Sequence, residues 1–226
     1  MSDNRAAEDV LFCWSGGKDS AMALHALQSE GKYSVAALLT TITEQYDRIS
    51  MHGVRRILLE RQAKSIGLPL TPVTIPPECS NAMYELRMKE ALAQYFAQGV
   101  LHVAFGDIFL EDLRVYRERN LAQVGMSALF PVWKRDTRSL ATDFIRKGFR
   151  AIAVCVDPRM LDASFVGREL DTSFLSDLPP GVDPCGENGE FHTFVFEGPI
   201  FKAPVRFRSG EKVLRDNFWF CDLLPE

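Results

Sequence analysis

The stretch Val10-Leu11-Phe12-Cys13-Trp14-Ser15-Gly16-Gly17-Lys18-Asp19-Ser20 sets a short apolar run directly before two glycines and a cluster of polar side chains. Val10 to Trp14 reads as a buried strand, and Ser20 to Ser29, with Ala21, Leu24 and Leu27 on one face, reads as a helix. Between them, Gly16 and Gly17 let the backbone turn sharply and aim successive N–H groups at one point. The helix behind adds its positive N-terminal end, so the junction suits a phosphate. Ser15 and Ser20 can donate hydroxyls to that anion, and Lys18 adds charge. Asp19 repels a phosphate unless it caps the helix or holds a metal ion such as Mg²⁺. The string has neither Walker A spacing nor the GxGxxG spacing of dinucleotide sites. The plain alternative is a glycine turn with Asp19 or Ser20 as helix cap.

Outward from this junction the alternation continues. Strands are expected at Val35 to Thr41, Leu70 to Ile75 and Val100 to Phe105. Helices are expected at Val54 to Ile66, through Tyr84, Met88, Ala91, Leu92 and Tyr95, and at Glu111 to Val124. Strand–helix alternation predicts an α/β fold with a parallel, doubly wound sheet, which binds ligands at the carboxyl ends of its strands. A helix at Thr137 to Lys147 and a strand at Ala151 to Val156 follow, and after about residue 160 the pattern becomes β-rich, with runs at Thr193 to Phe196, Val205 to Arg208 and Phe218 to Leu223. The expected division is residues 1–128, an α/β domain carrying the phosphate-suited glycine loop, and residues 129–226, a smaller α+β domain.

At 226 residues with 46% hydrophobic and 25% charged side chains, the chain is ordinary globular material rather than a disordered or fibrous one. A net charge of −4 makes a general nucleic-acid backbone binder a poor fit. Five scattered cysteines without a CxxC pair exclude a disulfide framework and a Cys-rich zinc site. With no apolar run long enough to span a bilayer, the expectation is a cytoplasmic protein without membrane contact.

A second cluster is Cys185-Gly186-Glu187-Asn188-Gly189-Glu190-Phe191-His192-Thr193. Glu187 and Glu190 can bind Mg²⁺, hold ammonium or orient a substrate amine, and His192 can take a proton at neutral pH. The plain alternative is a glycine turn with solvated glutamates. Elsewhere, Gly106 and Asp107 stand at a strand end where α/β ligands gather. Thr40 near the end of the second strand and His52 after it are candidates for the nucleotide cleft. Arg114 and Arg117 lie one helical turn apart, as phosphate- or substrate-facing cations or as surface ion pairs. Trp133 is either a stacking ring or core, and Phe218-Trp219-Phe220 points to burial or to a homo-oligomer contact.

SGGKDS after an N-terminal strand resembles the PP-loop of the adenine nucleotide alpha hydrolase-like ATP pyrophosphatases. Together with GENGEFHT the chain resembles the diphthine–ammonia ligase family, with further agreement at Phe105-Gly106-Asp107-Ile108, at Arg114 and Arg117, and at Pro131-Val132-Trp133. The resemblance runs from about residue 10 to 200. It implies ATP, with Mg²⁺, bound by Ser15, Gly16, Gly17, Lys18, Asp19 and Ser20, and by Thr40, His52, Gly106 and Asp107. It also implies catalytic roles for Lys18, Asp19, Glu187, Glu190 and His192, and an acceptor site formed by Arg114, Arg117, Trp133, Glu187, Asn188, Glu190 and Thr193. The implied partners are ATP, ammonia and a carboxylate acceptor, which for diphthamide-making members is diphthine on elongation factor two. Those members usually carry Glu-Gly-Gly-Glu-[Phe/Tyr]-Glu-Thr, whereas Asn188 and His192 stand here at the second and sixth positions. Replacing a fixed charge by an imidazole changes what the pocket recognises. The competing expectations are a PP-loop ATPase acting on another substrate, in small-molecule cofactor salvage or in RNA thiolation through Cys185, and a nucleotide sensor without turnover.

Overall fold

The computed structural model describes residues 7–49 and 53–226. In chain order the first half comprises β1 (Glu8–Cys13), α1 (Lys18–Glu30), β2 (Tyr33–Thr43), β3 (Arg48–Ile49) and α2 (Arg56–Ile66). It continues with β4 (Leu70–Ile75), α3 (Asn81–Phe96), β5 (His102–Ala104), α4 (Glu111–Ala122) and β6 (Ser127–Leu129). β1 pairs in parallel with β2 on one side and β5 on the other, β4 adds to β2, and β6 adds to β5. The parallel order is therefore β4-β2-β1-β5-β6, and the direction of winding reverses between β1 and β5. Ligand crevices in such sheets open at that reversal. β2 runs past the end of β1, and antiparallel β3 takes the vacated edge there.

Alternation along β1 explains the layers. Val10 and Phe12 belong to one core with α1 and α2, while Leu11 belongs to a second core with Leu92 of α3 and Leu121 of α4. Pro72 lacks a ladder donor, and it sits in β4 at the edge of the sheet, where that lack is tolerated. α1 and α2 end at Gly31 and Gly67, both in the left-handed region that a glycine adopts without strain.

The second half comprises α5 (Thr137–Arg146), β7 (Arg150–Val156), α6 (Thr172–Asp177), β8 (Phe191–Glu197), β9 (Phe207–Arg215) and β10 (Phe218–Pro225). Its strands form an antiparallel sheet ordered β8-β7-β10-β9. The architecture is thus a parallel α/β unit joined to a smaller antiparallel one. β9 is longer and more polar than the 205–208 run expected from the sequence. Most of it is exposed, and pairing with β10 holds it. The signal lay in the turn: Asp216 and Asn217 both have positive φ, which a two-residue hairpin requires. Phe218, Trp219 and Phe220 are half-buried within β10.

Two polar devices bind the halves. Asp222 of β10 receives Arg48 at 2.9 Å and Arg55 at 2.6 Å. Although burial opposes it, bonding to these guanidinium groups holds the Asp222 carboxyl down at about 2. Gln62 of α2 is fully buried. It accepts from Trp14 Nε1 at 2.9 Å and donates to the carbonyls of Gly16 at 3.0 Å and Val195 at 2.5 Å. Gln62→Leu strands these groups without water, so urea unfolding should show a loss of roughly 2–4 kcal/mol at unchanged m-value.

Candidate active site

A cleft of about 340 Å³ opens at the carboxyl ends of β1, β2 and β5, and its floor is the loop after β1. Gly16 has φ +76°, and a Cβ there would lie 2.8 Å from Gln62 Oε1. The loop is cross-linked within itself: Gly17 N donates to Ser15 Oγ at 3.3 Å, Ser15 Oγ to Ser20 Oγ at 3.1 Å, and Ser20 Oγ to Gly17 O at 2.9 Å. α1 begins at Gly17 with no side-chain cap, so neither Asp19 nor Ser20 caps this end as the plain reading required. Gly106 at the end of β5 faces the first turn of α1, and a Cβ there would lie 2.8 Å from Ser20 N. Any side chain at that position would push β5 off the loop.

Buried Lys18 and half-buried Asp19 form an ion pair at 2.7 Å at the floor of the cleft. Lys18 Nζ also donates to the Cys185 carbonyl. Burial favours neutral Lys18, yet the surrounding negative groups, Asp19 foremost, outweigh it and hold its pKa above the ordinary value. Burial pushes Asp19 upward, and Lys18 offsets only part of that. Asp19 Oδ2 is taken by Lys18, whereas Oδ1 is buried without a hydrogen-bond partner. An orphaned carboxylate oxygen of this kind fits a cation. Among the described residues no three His, Cys, Asp or Glu side chains gather to hold a metal ion by themselves. Mg²⁺ does not need such a cage, because it is commonly held by one or two carboxylates together with substrate phosphates.

The 185–193 loop and the start of β8 close the opposite wall. Lys18 N donates to Thr193 Oγ1 at 3.0 Å, across 175 residues, and Val195 N donates to Gly16 O at 2.9 Å. Glu187 and His192 line the cleft with Thr193. Glu187 Oε1 accepts from Ile108 N at 2.7 Å, and burial, reinforced by Asp19, raises its carboxyl to about 7 despite that bond. Burial and the Lys18 charge push His192 down to about 4. Its imidazole is therefore neutral at pH 7 and a weaker base than an ordinary histidine.

Glu190 and Asn188 do not line the cleft. Glu190 is 2% exposed and accepts from Asp183 N, Asn188 N and Asn188 Nδ2, each at 3.0 Å. It shapes the loop that presents Glu187. Cys185 Sγ donates to Thr137 O at 3.3 Å, and burial pushes the thiol far up. A thiolate nucleophile is disfavoured there.

Thr40 and Asp107 line the cleft, and Arg117 joins them through an ion pair of 2.7 Å to Asp107. Arg114 and Trp133 do not. Arg114 lies over the Trp133 ring at 4.8 Å and pairs with Glu118 at 2.8 Å. His52 lies outside the described residues. Two contributors went unnoticed in the sequence. Gln62 was signalled by a polar side chain on the otherwise apolar Leu58-Leu59-Ala63-Ile66 face of its helix. Asp183, which accepts from Cys185 N at 2.9 Å and Thr137 Oγ1 at 2.6 Å, was signalled only by a turn-forming Asp-Pro pair.

The family model described as "Diphthamide synthase N-terminal domain" matches residues 8–128, and that described as "Diphthamide synthase C-terminal domain" matches residues 136–224. A diphthine–ammonia ligase of Danio rerio is 28% identical over 94% of this chain and 91% of its own length. One of Homo sapiens is 25% identical over 88% of this chain and 83% of its own. A third, of Schizosaccharomyces pombe, is 26% identical over 95% of this chain, which covers 38% of that longer protein. Among the described residues no helix is long and apolar enough to cross a membrane.

Proposed function

Because the chain belongs to the diphthamide synthase family, we propose that it is an ATP-dependent ligase that joins ammonia to a carboxylate, as the name of its relatives states for diphthine. The observation that carries this reading is the 3.0 Å bond from Lys18 N to Thr193 Oγ1, which sets the glycine loop and the glutamate loop on one cleft. The loop from Ser15 to Ser20 holds the ATP phosphates, with the adenine toward Thr40. Asp19, through its orphaned Oδ1, and Asp107 are the residues that would hold Mg²⁺. That ion supplies charge neutralisation on the phosphates when bound.

An oxygen of the acceptor carboxylate attacks the α-phosphorus, and the bond to pyrophosphate breaks. Ammonia then attacks the acyl carbon, AMP leaves and a proton is lost. Glu187 is the group suited to take that proton, because a general base works best with a pKa near the working pH. Lys18 stabilises charge on the phosphates, and neutral His192 serves as a hydrogen-bonding wall rather than an acid. The acceptor in diphthamide synthesis is diphthine on elongation factor two, and Asn188 and His192 are where the acceptor side of this chain departs from the usual pattern.

Supplying ATP, Mg²⁺, ammonium and diphthine-bearing elongation factor two, or a mixture of cellular carboxylates, tests the reading. AMP and pyrophosphate should form in equal amounts and only when ammonium and a carboxylate are both present. Formation of ADP and phosphate, or tight ATP binding with no products, contradicts it. Cys185→Ser should retain most turnover, because a serine hydroxyl can donate to Thr137 O as the thiol does. Its inactivity would favour sulfur transfer instead.

A further inference from the structure

Behind the cleft lies a second cavity of about 280 Å³, between α3 and α4. It shares Tyr84, Met88, Phe105 and Arg117 with the cleft, so the two spaces adjoin along these side chains. Its own walls include the carbon surfaces of Leu92, Leu121 and Val124, with Glu85, Tyr116 and Asn120 as polar groups. Nothing in the ATP-binding half of the proposed reaction uses this space.

Resting on the ligase reading above, we infer that the α3–α4 cavity holds the organic body of the acceptor, a compact carboxylate whose acid group is directed to Arg117. The volume is near the lower end for small-molecule sites, which suits a side-chain-sized or metabolite-sized ligand. Its carbon lining fits an apolar body. Arg117 is the cation on the shared wall. It lies 4.3 Å over the Phe105 ring and is paired with Asp107, an arrangement that fixes the guanidinium at the junction. Glu85 and Lys89 both line this wall, so a polar substituent on the ligand body finds either a hydrogen-bond acceptor or a donor there. Arg117 lines both spaces whereas Glu187 lines only the cleft, so an acid held on Arg117 faces the cleft without occupying the place of Glu187.

The probe is 4-phenylbutyrate, with acetate as a carboxylate lacking the body, each titrated by protein-observed NMR in the presence of AMP. Phenylbutyrate should bind and acetate should not compete with it. Asn120→Trp and Ala82→Trp both fill the cavity from positions outside the cleft, and each should weaken phenylbutyrate by at least about tenfold while ATP affinity stays unchanged. Unchanged ATP affinity also shows that the variants are folded. No phenylbutyrate binding, or binding that both variants leave intact, overturns the inference. If the probe binds here but no carboxylate ever yields AMP, the ligase reading fails and the chamber stands. If AMP forms with a carboxylate whose KM both tryptophans leave untouched, the chamber fails and the ligase reading stands.

Discussion

Lys18→Met should lower the rate of AMP formation by about 10²–10³-fold, the loss typical of removing one preorganised charge from a site where negative charge develops. Lys18 is 3% exposed and bonded to both Asp19 and the Cys185 carbonyl. Methionine keeps its length and carbon surface but takes away the charge. Asp19 is then left as a half-buried acid without its counter-ion, and its carboxyl rises further. Single-turnover kinetics separate the chemical defect from weaker ATP binding. The position also links the two halves of the site, so the 185–193 loop should loosen, with faster amide exchange at Glu187 and Asn188 in the variant. A rate within tenfold of the parent would remove Lys18 from the chemistry.

Glu187→Gln should abolish the acid limb of the pH–rate profile. In the parent protein the rate should climb as pH rises through about 7, where Glu187 loses its proton and becomes able to accept one. Glutamine cannot do so, and the plateau should fall by roughly 10²–10⁴-fold, the usual worth of a general base. Stability moves the other way. The folded carboxyl is raised from 4.5 to about 7, so between those values the folded state keeps a proton that the unfolded chain releases. Folding stability from this group is therefore greatest below pH 4.5 and declines as pH rises to about 7. Glu187→Gln should lack that decline. His192 contributes with the opposite slope, since its folded pKa of about 4 makes stability fall as pH drops below 6.5.

Much of the first half was readable because its strands are buried on both faces. Val10 to Phe12 are wholly inaccessible, and such runs stand out as continuous apolar segments between helix-period stretches. The glycine loop was readable because Gly16 holds a positive φ against Gln62, which a glycine does without strain. The second half was harder. β9 exposes most of its side chains, so its strand character resides in pairing with β10 rather than in its own pattern. β6 has three residues and is defined by its neighbour β5.

Within the site, the short motifs located the loops but not the directions of their side chains. Glu187 and Glu190 look alike in sequence, three residues apart. Ile108 N orients one carboxylate at the cleft, while the backbone of Asp183 and Asn188 draws the other into the loop. Arg114 and Arg117 are likewise separated by one turn, yet one stacks on Trp133 and the other reaches Asp107. The lowered pKa of His192 comes from burial and then from Lys18, 174 residues away in the chain, and no local pattern encodes either.

The most direct test of the central claim, activation of a carboxylate by adenylyl transfer in this cleft, is an isotope measurement. An acceptor carboxylate labelled with ¹⁸O is turned over with unlabelled ATP, Mg²⁺ and ammonium, and the recovered AMP is examined by mass spectrometry. The account predicts one ¹⁸O atom in the AMP phosphate and none in pyrophosphate, because the attacking carboxylate oxygen stays on the α-phosphorus when ammonia displaces AMP. Label in inorganic phosphate beside ADP, or AMP carrying no label, would contradict it.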